Sequence, residues 1–378
     1  MTNRNPSPPA AHAAASQAHR AAGRAARRTA GIAAAVATLA LSLVLTGCGG
    51  AATAQPGAAG SSSGGAEVKT VRYQGSPNTV ALLEVAEDLG YLGDVKLEWV
   101  SNTTSGPQSI QSVATDQTDI GGAFTGAVIK LIEAGAPVQA VINYYGEDKE
   151  TFTGYYVEEG SPIRTAKDLI GKKIAVNTLG AHHEAVITTH LKNSGLTPEE
   201  IKQVQLVVVP PNETEVALRK KQVDVGTLGG VLQDRALAEG GVRALFTDTG
   251  VIGGPFDAGQ YVLRKDFIAK NPETSRTVVT GVAKAIEWER TTPREQVIAK
   301  FEEIIAKRGR NESTEALKYW KSVGVASPGG RIQDTDFTRW ADYLKSAGII
   351  SGELDTKKLY TNEFNGLATA DAPATSKG

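Results

Sequence analysis

From Lys69 to Gln74 the chain alternates apolar and polar positions around β-branched residues, which predicts a strand. From Asn78 the apolar positions Leu82, Leu83, Val85 and Leu89 recur at helical spacing until Gly90-Tyr91-Leu92-Gly93 stops the pattern. Val95–Val100 then reads as a strand, Ser109–Ala114 as a helix, Ile120–Ala123 as a short buried strand and Val128–Ala134 as a helix. Strand and helix alternating in this way predict parallel βαβ units. A second block follows through Tyr155–Val157, Lys173–Val176, Glu184–Leu191, Leu206–Val209, Glu215–Lys220 and Val225–Leu228, so two α/β lobes are expected. Val138–Tyr145, followed by Gly146-Glu147-Asp148-Lys149, predicts a crossover out of the first lobe, and Val242–Gly250 a return. The Lys/Glu-rich stretch 284–321 carries Trp288, Phe301, Tyr319 and Trp320 at helical spacings and predicts helices packed on the first lobe.

An internal similarity supports a pair of related halves. Residues 112–140 contain Gln117-Thr118-Asp119-Ile120-Gly121, then Gly126-Ala127-Val128, then Gly135-Ala136-Pro137-Val138. Residues 216–244 contain Gln222-Val223-Asp224-Val225-Gly226, then Gly229-Gly230-Val231, then Gly240-Gly241-Val242. Each block reads as a helix, a tight Gln-x-Asp turn, a small-residue strand, a glycine-bearing loop and a helix.

Composition narrows the function classes. A length of 378 residues allows two domains with sizeable cores, at ~150 residues per domain. The formal net charge of -1 gives no global basic field, so no nucleic-acid partner is expected. Residues 1–47 hold five Arg and no acid, leaving 35 of the 40 bases against 41 acids beyond them, a net of -6. This basic stretch runs into the uncharged apolar segment 31–45 and reads as a secretory signal peptide. Leu45-Thr46-Gly47-Cys48 resembles a bacterial lipobox, in which the cysteine becomes the lipid-modified first residue. Residues 48–66 then form the lipidated Cys48 and a Gly/Ala/Ser tether, and 366–378 a disordered tail. With Cys48 the only cysteine, no internal disulfide or multi-thiolate metal site is available.

Several motifs together carry a family resemblance. Gln74-Gly75-Ser76-Pro77-Asn78, Leu89-Gly90-Tyr91-Leu92, Ser161-Pro162-Ile163, the run Lys167-Asp168-Leu169-Ile170-Gly171-Lys172-Lys173-Ile174-Ala175-Val176 and the duplicated Gln-x-Asp resemble the substrate-binding proteins of ABC importers for nitrate, taurine and aliphatic sulfonates, over about residues 68–345. The resemblance implies an α/β, two-lobed periplasmic-binding-protein-like fold of type II with two crossovers and a ligand cleft. Lobe 1 would comprise 67–145 plus 252–365 and lobe 2 would comprise 146–251. It further implies a lipid-anchored monomer on the outer face of a bacterial membrane, handing a small organic anion, an aliphatic sulfonate or taurine-like compound, to ABC permease subunits. Nitrate and a thiamin-pyrimidine precursor stay open as ligands.

In α/β sheets ligands sit beyond the carboxyl ends of strands, where helix N-termini present free N–H groups. The candidate ligand contacts are therefore Gln74, Ser76, Asn78, Thr103, Thr104, Phe124, Thr125 and Tyr145 from the first lobe. Asn177, Thr178, Ala181, His182, Asn212 and Gly229 are the candidates from the second. Most are neutral hydroxyl, amide or glycine positions, suited to an oxyanion held by N–H and O–H donors. Tyr144 would belong to the core or to an apolar wall. His182, His183, Glu184 and His190 lack the His-Glu-x-x-His spacing, so no metal site is expected; His182 at a helix N-terminus would be a weakly basic neutral donor. The same fold also resembles thiamin-pyrimidine synthases and a desulfinase, but no cysteine follows Cys48 and no nucleophile elbow or phosphate-binding loop is present. No cofactor and no catalysis are expected.

Overall fold

The computed structural model describes residues 66–368. The signal peptide, Cys48, nearly all of the tether and residues 369–378 lie outside the described residues. No helix among the described residues is long and apolar enough to cross a membrane.

The first block runs β1 (Thr70–Gly75), α1 (Leu82–Asp88), β2 (Lys96–Asn102), α2 (Gly106–Ala114), β3 (Ile120–Phe124), α3 (Thr125–Glu133) and β4 (Val138–Glu147). The second runs β5 (Thr153–Glu158), β6 (Lys173–Val176), α4 (His182–Asn193), α5 (Pro198–Ile201), β7 (Gln205–Val208), α6 (Pro211–Arg219), β8 (Gly226–Gly229), α7 (Gly230–Glu239), β9 (Val242–Thr247) and α8 (Asp248–Ile252). The chain then returns as β10 (Phe256–Arg264), α9 (Lys265–Lys270), α10 (Pro272–Thr291) and α11 (Arg294–Arg308). β1 and β2 are parallel, as are β6 and β7. The parallel expectation fails at the two central strands. β10 runs antiparallel between β3 and β4, and β5 runs antiparallel between β8 and β9. Both are the strands that receive a crossover, so each enters its lobe against the direction of its neighbours. All nine residues of β10 are buried, as suits a central strand.

The duplicated Gln-x-Asp serves the same purpose twice. Asp116 and Lys221 both end a helix with positive φ, 61° and 56°. Gln117 N then donates to Ser112 O at 2.8 Å and Gln222 N to Ala217 O at 2.9 Å. The aspartate carboxylate next accepts from the first strand of a parallel pair, β1 or β6, Asp119 Oδ2 from Arg72 N and Asp224 Oδ2 from Lys173 N, both at 2.8 Å. Each aspartate thus hooks the incoming small-residue strand onto the first strand of a parallel pair.

α1 starts four residues later than the pattern predicts. Asn78 has φ 62°, outside the helical region, and its backbone N–H donates to Glu312 while its Oδ1 accepts from Ser313 N. Helices α10 and α11 fold back on α1 and share its core with Val279, Val282, Ile286 and Phe301.

Candidate functional site

The loops after β1, β2, β3 and β6 converge on a cavity of about 450 Å3, with walls from both α/β blocks. Gln74, Ser76, Thr103, Thr104 and Ser105 line it from the first block, and Asn177, Ala181, His182 and His183 from the second. Aromatic rings make its floor. Tyr144 stacks on Tyr261 with centroids 4.1 Å apart and meets Tyr145 edge-on at 4.9 Å. His182 stacks on Phe124 at 5.6 Å and lies 6.1 Å from Tyr145. The glycines seat these rings: a Cβ at Gly122 would stand 2.5 Å from Tyr144 Cζ, and one at Gly259 would collide with the ring of Tyr145. Phe301, Leu317, Trp320 and Val323 close the end beyond Tyr261.

The cavity wall has one carboxylate, Glu289 of α10, and no Lys or Arg among the described residues. Glu289 is 6 % exposed, and no described group donates a hydrogen bond to it. Burial alone pushes its pKa up to about 8. Burial also pushes His182 down to about 3 and His183 down to about 4, so both imidazoles are neutral near pH 7. The weak basicity expected of His182 is present, and desolvation, with the neighbouring His183 adding to it, is the cause the structure supplies.

Behind His182 the two crossovers meet. Thr153 Oγ1 donates to Glu147 at 3.1 Å, while the Thr153 and Thr249 backbone N–H groups donate to Asp248. Glu147 and Asp248 are hydrogen-bonded to each other, and burial raises both, Asp248 to about 6. His182 Nε2 stands 3.7 Å from Asp248 Oδ2. Glu147, His182 and Asp248 offer ligand atoms within 4.8 Å of one another, the one such group among the described residues. The other histidine-rich candidates do not converge: Glu184 accepts from Gly180 N at 2.8 Å and His190 stacks on Phe246 at 3.8 Å.

Of the residues singled out in the sequence, Gln74, Ser76, Thr103, Thr104, Phe124, Tyr145, Asn177, Ala181 and His182 lie on the cavity wall. The other five do not line it. Asn78 anchors Glu312 and Ser313. Thr125 is buried, donating to Ala258 O at 3.0 Å. Thr178 bonds Ser105 Oγ at 3.2 Å. Asn212 is exposed in the first turn of α6, and Gly229 packs against Thr153, leaving Val231 to reach the cavity. Sequence reasoning missed Tyr261, Trp320 and above all Glu289. The available signal was periodicity, because Glu289 falls on the apolar stripe of Val278, Val282, Ala285 and Ile286, where a carboxylate is out of place.

Comparison with known proteins identifies the family and the fold. A family model described as "NMT1/THI5 like" matches residues 77–296, more than half of the chain. A protein of Escherichia coli (strain K12) named for binding aliphatic sulfonates is 26 % identical over 208 residues, covering 54 % of this chain and 60 % of that protein. The chain thus spans less than two thirds of that relative's length. A riboflavin-binding protein, RibY, of Chloroflexus aurantiacus is 23 % identical over 297 residues, covering 74 % of this chain and 80 % of RibY. The crystal structure of the periplasmic aliphatic sulphonate binding protein SsuA from Escherichia coli superposes with a TM-score of 0.59 at 20 % identity, covering 78 % of this chain and 92 % of SsuA. The fold is that of a two-lobed periplasmic binding protein.

Proposed function

Since the chain belongs to the NMT1/THI5-like family, we propose that it is the solute-binding component of an ABC importer, closing two lobes on one small organic molecule and delivering it to a permease. The observation that carries this is the aromatic-floored cavity of about 450 Å3, a size and lining suited to a small organic ligand. Residues 67–145 with 252–365 act as one jaw and 146–251 as the other. The lobes close by hinging at the crossovers. Lipid on Cys48 and the tether of residues 49–66 hold the receptor at the outer face of the membrane. The protein works as a binder and not an enzyme: its relatives bear the names of binding proteins.

For the ligand, the name of the Escherichia coli relative supports an aliphatic sulfonate or taurine-like compound, and that of RibY a heterocycle. An anion would be held by the neutral donors of Ser76, Thr103 and Ser105 beside an unpaired Glu289, so the wall chemistry favours a ligand with an apolar or aromatic body.

The test is a thermal-melting screen of the full chain against aliphatic sulfonates, taurine, nitrate, riboflavin and aminopyrimidines. A ligand at 100 times its Kd stabilises the native state by about 2.7 kcal/mol. One chemical class is expected to raise Tm and to be recovered unchanged by mass spectrometry. A flat screen removes the receptor reading, and a recovered product of altered mass establishes an enzyme.

A further inference from the structure

We infer that the cleft is built for an organic cation, a solute with an aromatic or apolar body whose protonated nitrogen donates to Glu289, an assignment that rests on the receptor reading above. Glu289 is more than nine-tenths buried, lines the cavity and has no partner among the described residues. A carboxylate buried without a partner is costly, and it is tolerated where a ligand supplies the missing charge or donor.

The surroundings favour a cation over an anion. No Lys or Arg lines the wall among the described residues, and His182 and His183 are held neutral. Arg310, whose Nη1 would stand 3.4 Å from a Cβ at the wall residue Gly75, is engaged by Glu84 at 3.4 Å and by Tyr73 OH at 3.1 Å, and it lies over the ring of Trp99 at 4.2 Å. A sulfonate entering this low-dielectric space would meet no counter-charge, and at most one neutral hydrogen bond from the protonated Glu289. An ammonium or amidinium would meet that carboxyl together with the stacked faces of Tyr144 and Tyr261, which attract cations as well.

Protonation supplies a second readout. The titratable groups acting on this end of the cavity are Tyr144 of β4 and Tyr261 of β10, both raised by burial and neutral, with Tyr73 of β1 and Glu84 of α1 beyond them. Burial holds Glu289 near pKa 8, so in an empty cleft it carries its proton at pH 7. A cation binds the ionised form, and that proton is released to solvent.

Three probes share one body and differ in charge: benzylamine, benzyl alcohol and phenylmethanesulfonate. Each is titrated calorimetrically into the full chain at pH 6, 7 and 8, in buffers of different ionisation enthalpy. Benzylamine is expected to bind tightest, to gain up to about tenfold in affinity per pH unit over this range, and to release about one proton on binding at pH 6. Glu289→Gln is expected to cut benzylamine affinity at least tenfold and abolish proton release, leaving benzyl alcohol within about threefold. The wild-type proton release tests the assignment even if that variant misfolds. Preference for phenylmethanesulfonate, or benzylamine binding with no proton release, overturns the cation assignment and leaves the receptor standing. If none of the three binds while a sulfonate or other anion from the broader screen does, the assignment falls likewise. If nothing in either panel binds, both fall.

Discussion

Asp248 and Glu147, where the two crossovers meet, make the stability of the fold depend on pH. Burial raises both carboxyls in the folded chain, Asp248 to about 6 from an ordinary 3.8, and Glu147 well above its ordinary 4.5. A folded pKa above the unfolded one means that the native state holds more protons in between. Stability is therefore greatest below pH 4 for this pair and falls as pH rises through 6 and beyond. Two pKa units correspond to about 3 kcal/mol for Asp248 taken alone, an upper figure for a pair that shares its proton. Asp248→Asn replaces the ionisable group by an amide that can still accept from the Thr153 and Thr249 N–H groups and can donate to Glu147. Urea unfolding at pH 5 and pH 8 is expected to show the variant gaining on wild type by about 1–2 kcal/mol between the two pH values, since part of the wild-type loss has already accrued at pH 5. A variant that loses stability equally at both pH values would show that the wild-type pair is not strained by ionisation. The sequence announced His182, because a helix start after Gly180-Ala181 is a local signal. It did not announce Glu147 and Asp248 as a pair, since they lie 101 residues apart and meet only when the two crossovers run side by side.

Among the elements, the Gln-x-Asp turn was the most legible feature because backbone geometry fixes its spacing. A helix end with positive φ, a back-bonded glutamine N–H and an aspartate aimed at the first strand of a parallel pair need those residues at those offsets, and both lobes have them. The two hooks differ in what surrounds them, and this separates their energetic weights. Asp119 is buried, receives Arg72 Nε and Nη2 at 3.0 and 2.7 Å, and lies 3.9 Å from Arg264. Asp224 accepts its Lys173 N–H at a more exposed position. Asp224→Ala should cost about 1 kcal/mol, an ordinary hydrogen bond. Asp119→Ala should cost more, about 2 kcal/mol, because it removes the backbone hook and two charge-assisted bonds from Arg72, which then keeps only Asp116. Urea unfolding of the two variants checks this, and equal costs would mean that the arginines contribute nothing beyond the backbone hook. The late start of α1 and the antiparallel β5 and β10 were not legible. The first depends on Glu312 and Ser313, far away in sequence, and the second on which strand a crossover delivers to the middle of a sheet.

At the scale of the whole molecule, the lobes touch across the cavity mouth through polar bridges. Asn177 Nδ2 donates to Thr104 O at 3.0 Å, Ser105 Oγ and Thr178 Oγ1 lie 3.2 Å apart, and Lys321 Nζ donates to Asp234 at 2.6 Å. α3 and the helix Ala341–Ser346 pack on α4 along the other side. The neutral side chains expected to grip a ligand therefore include two, Asn177 and Thr178, that grip the opposite lobe. A latch and a ligand contact differ in what they do to a series of ligands. Removing a ligand contact changes the ranking of ligands, whereas removing a latch lowers the population of the closed state and weakens every ligand by the same factor. Thr178→Ala and Asp234→Ala should each weaken all bound solutes by a common factor of about two to five, mainly through faster release. That corresponds to a partly exposed bond worth about 0.5–1 kcal/mol. The effect of Asp234→Ala should fade as ionic strength rises, because Lys321 is 43 % exposed and its attraction is screened by salt. Tm without ligand should stay within about a degree of wild type, since neither bond belongs to the core of a lobe. Stopped-flow release of two chemically different ligands measures the factor for each. Unequal factors would return Thr178 to the set of ligand contacts.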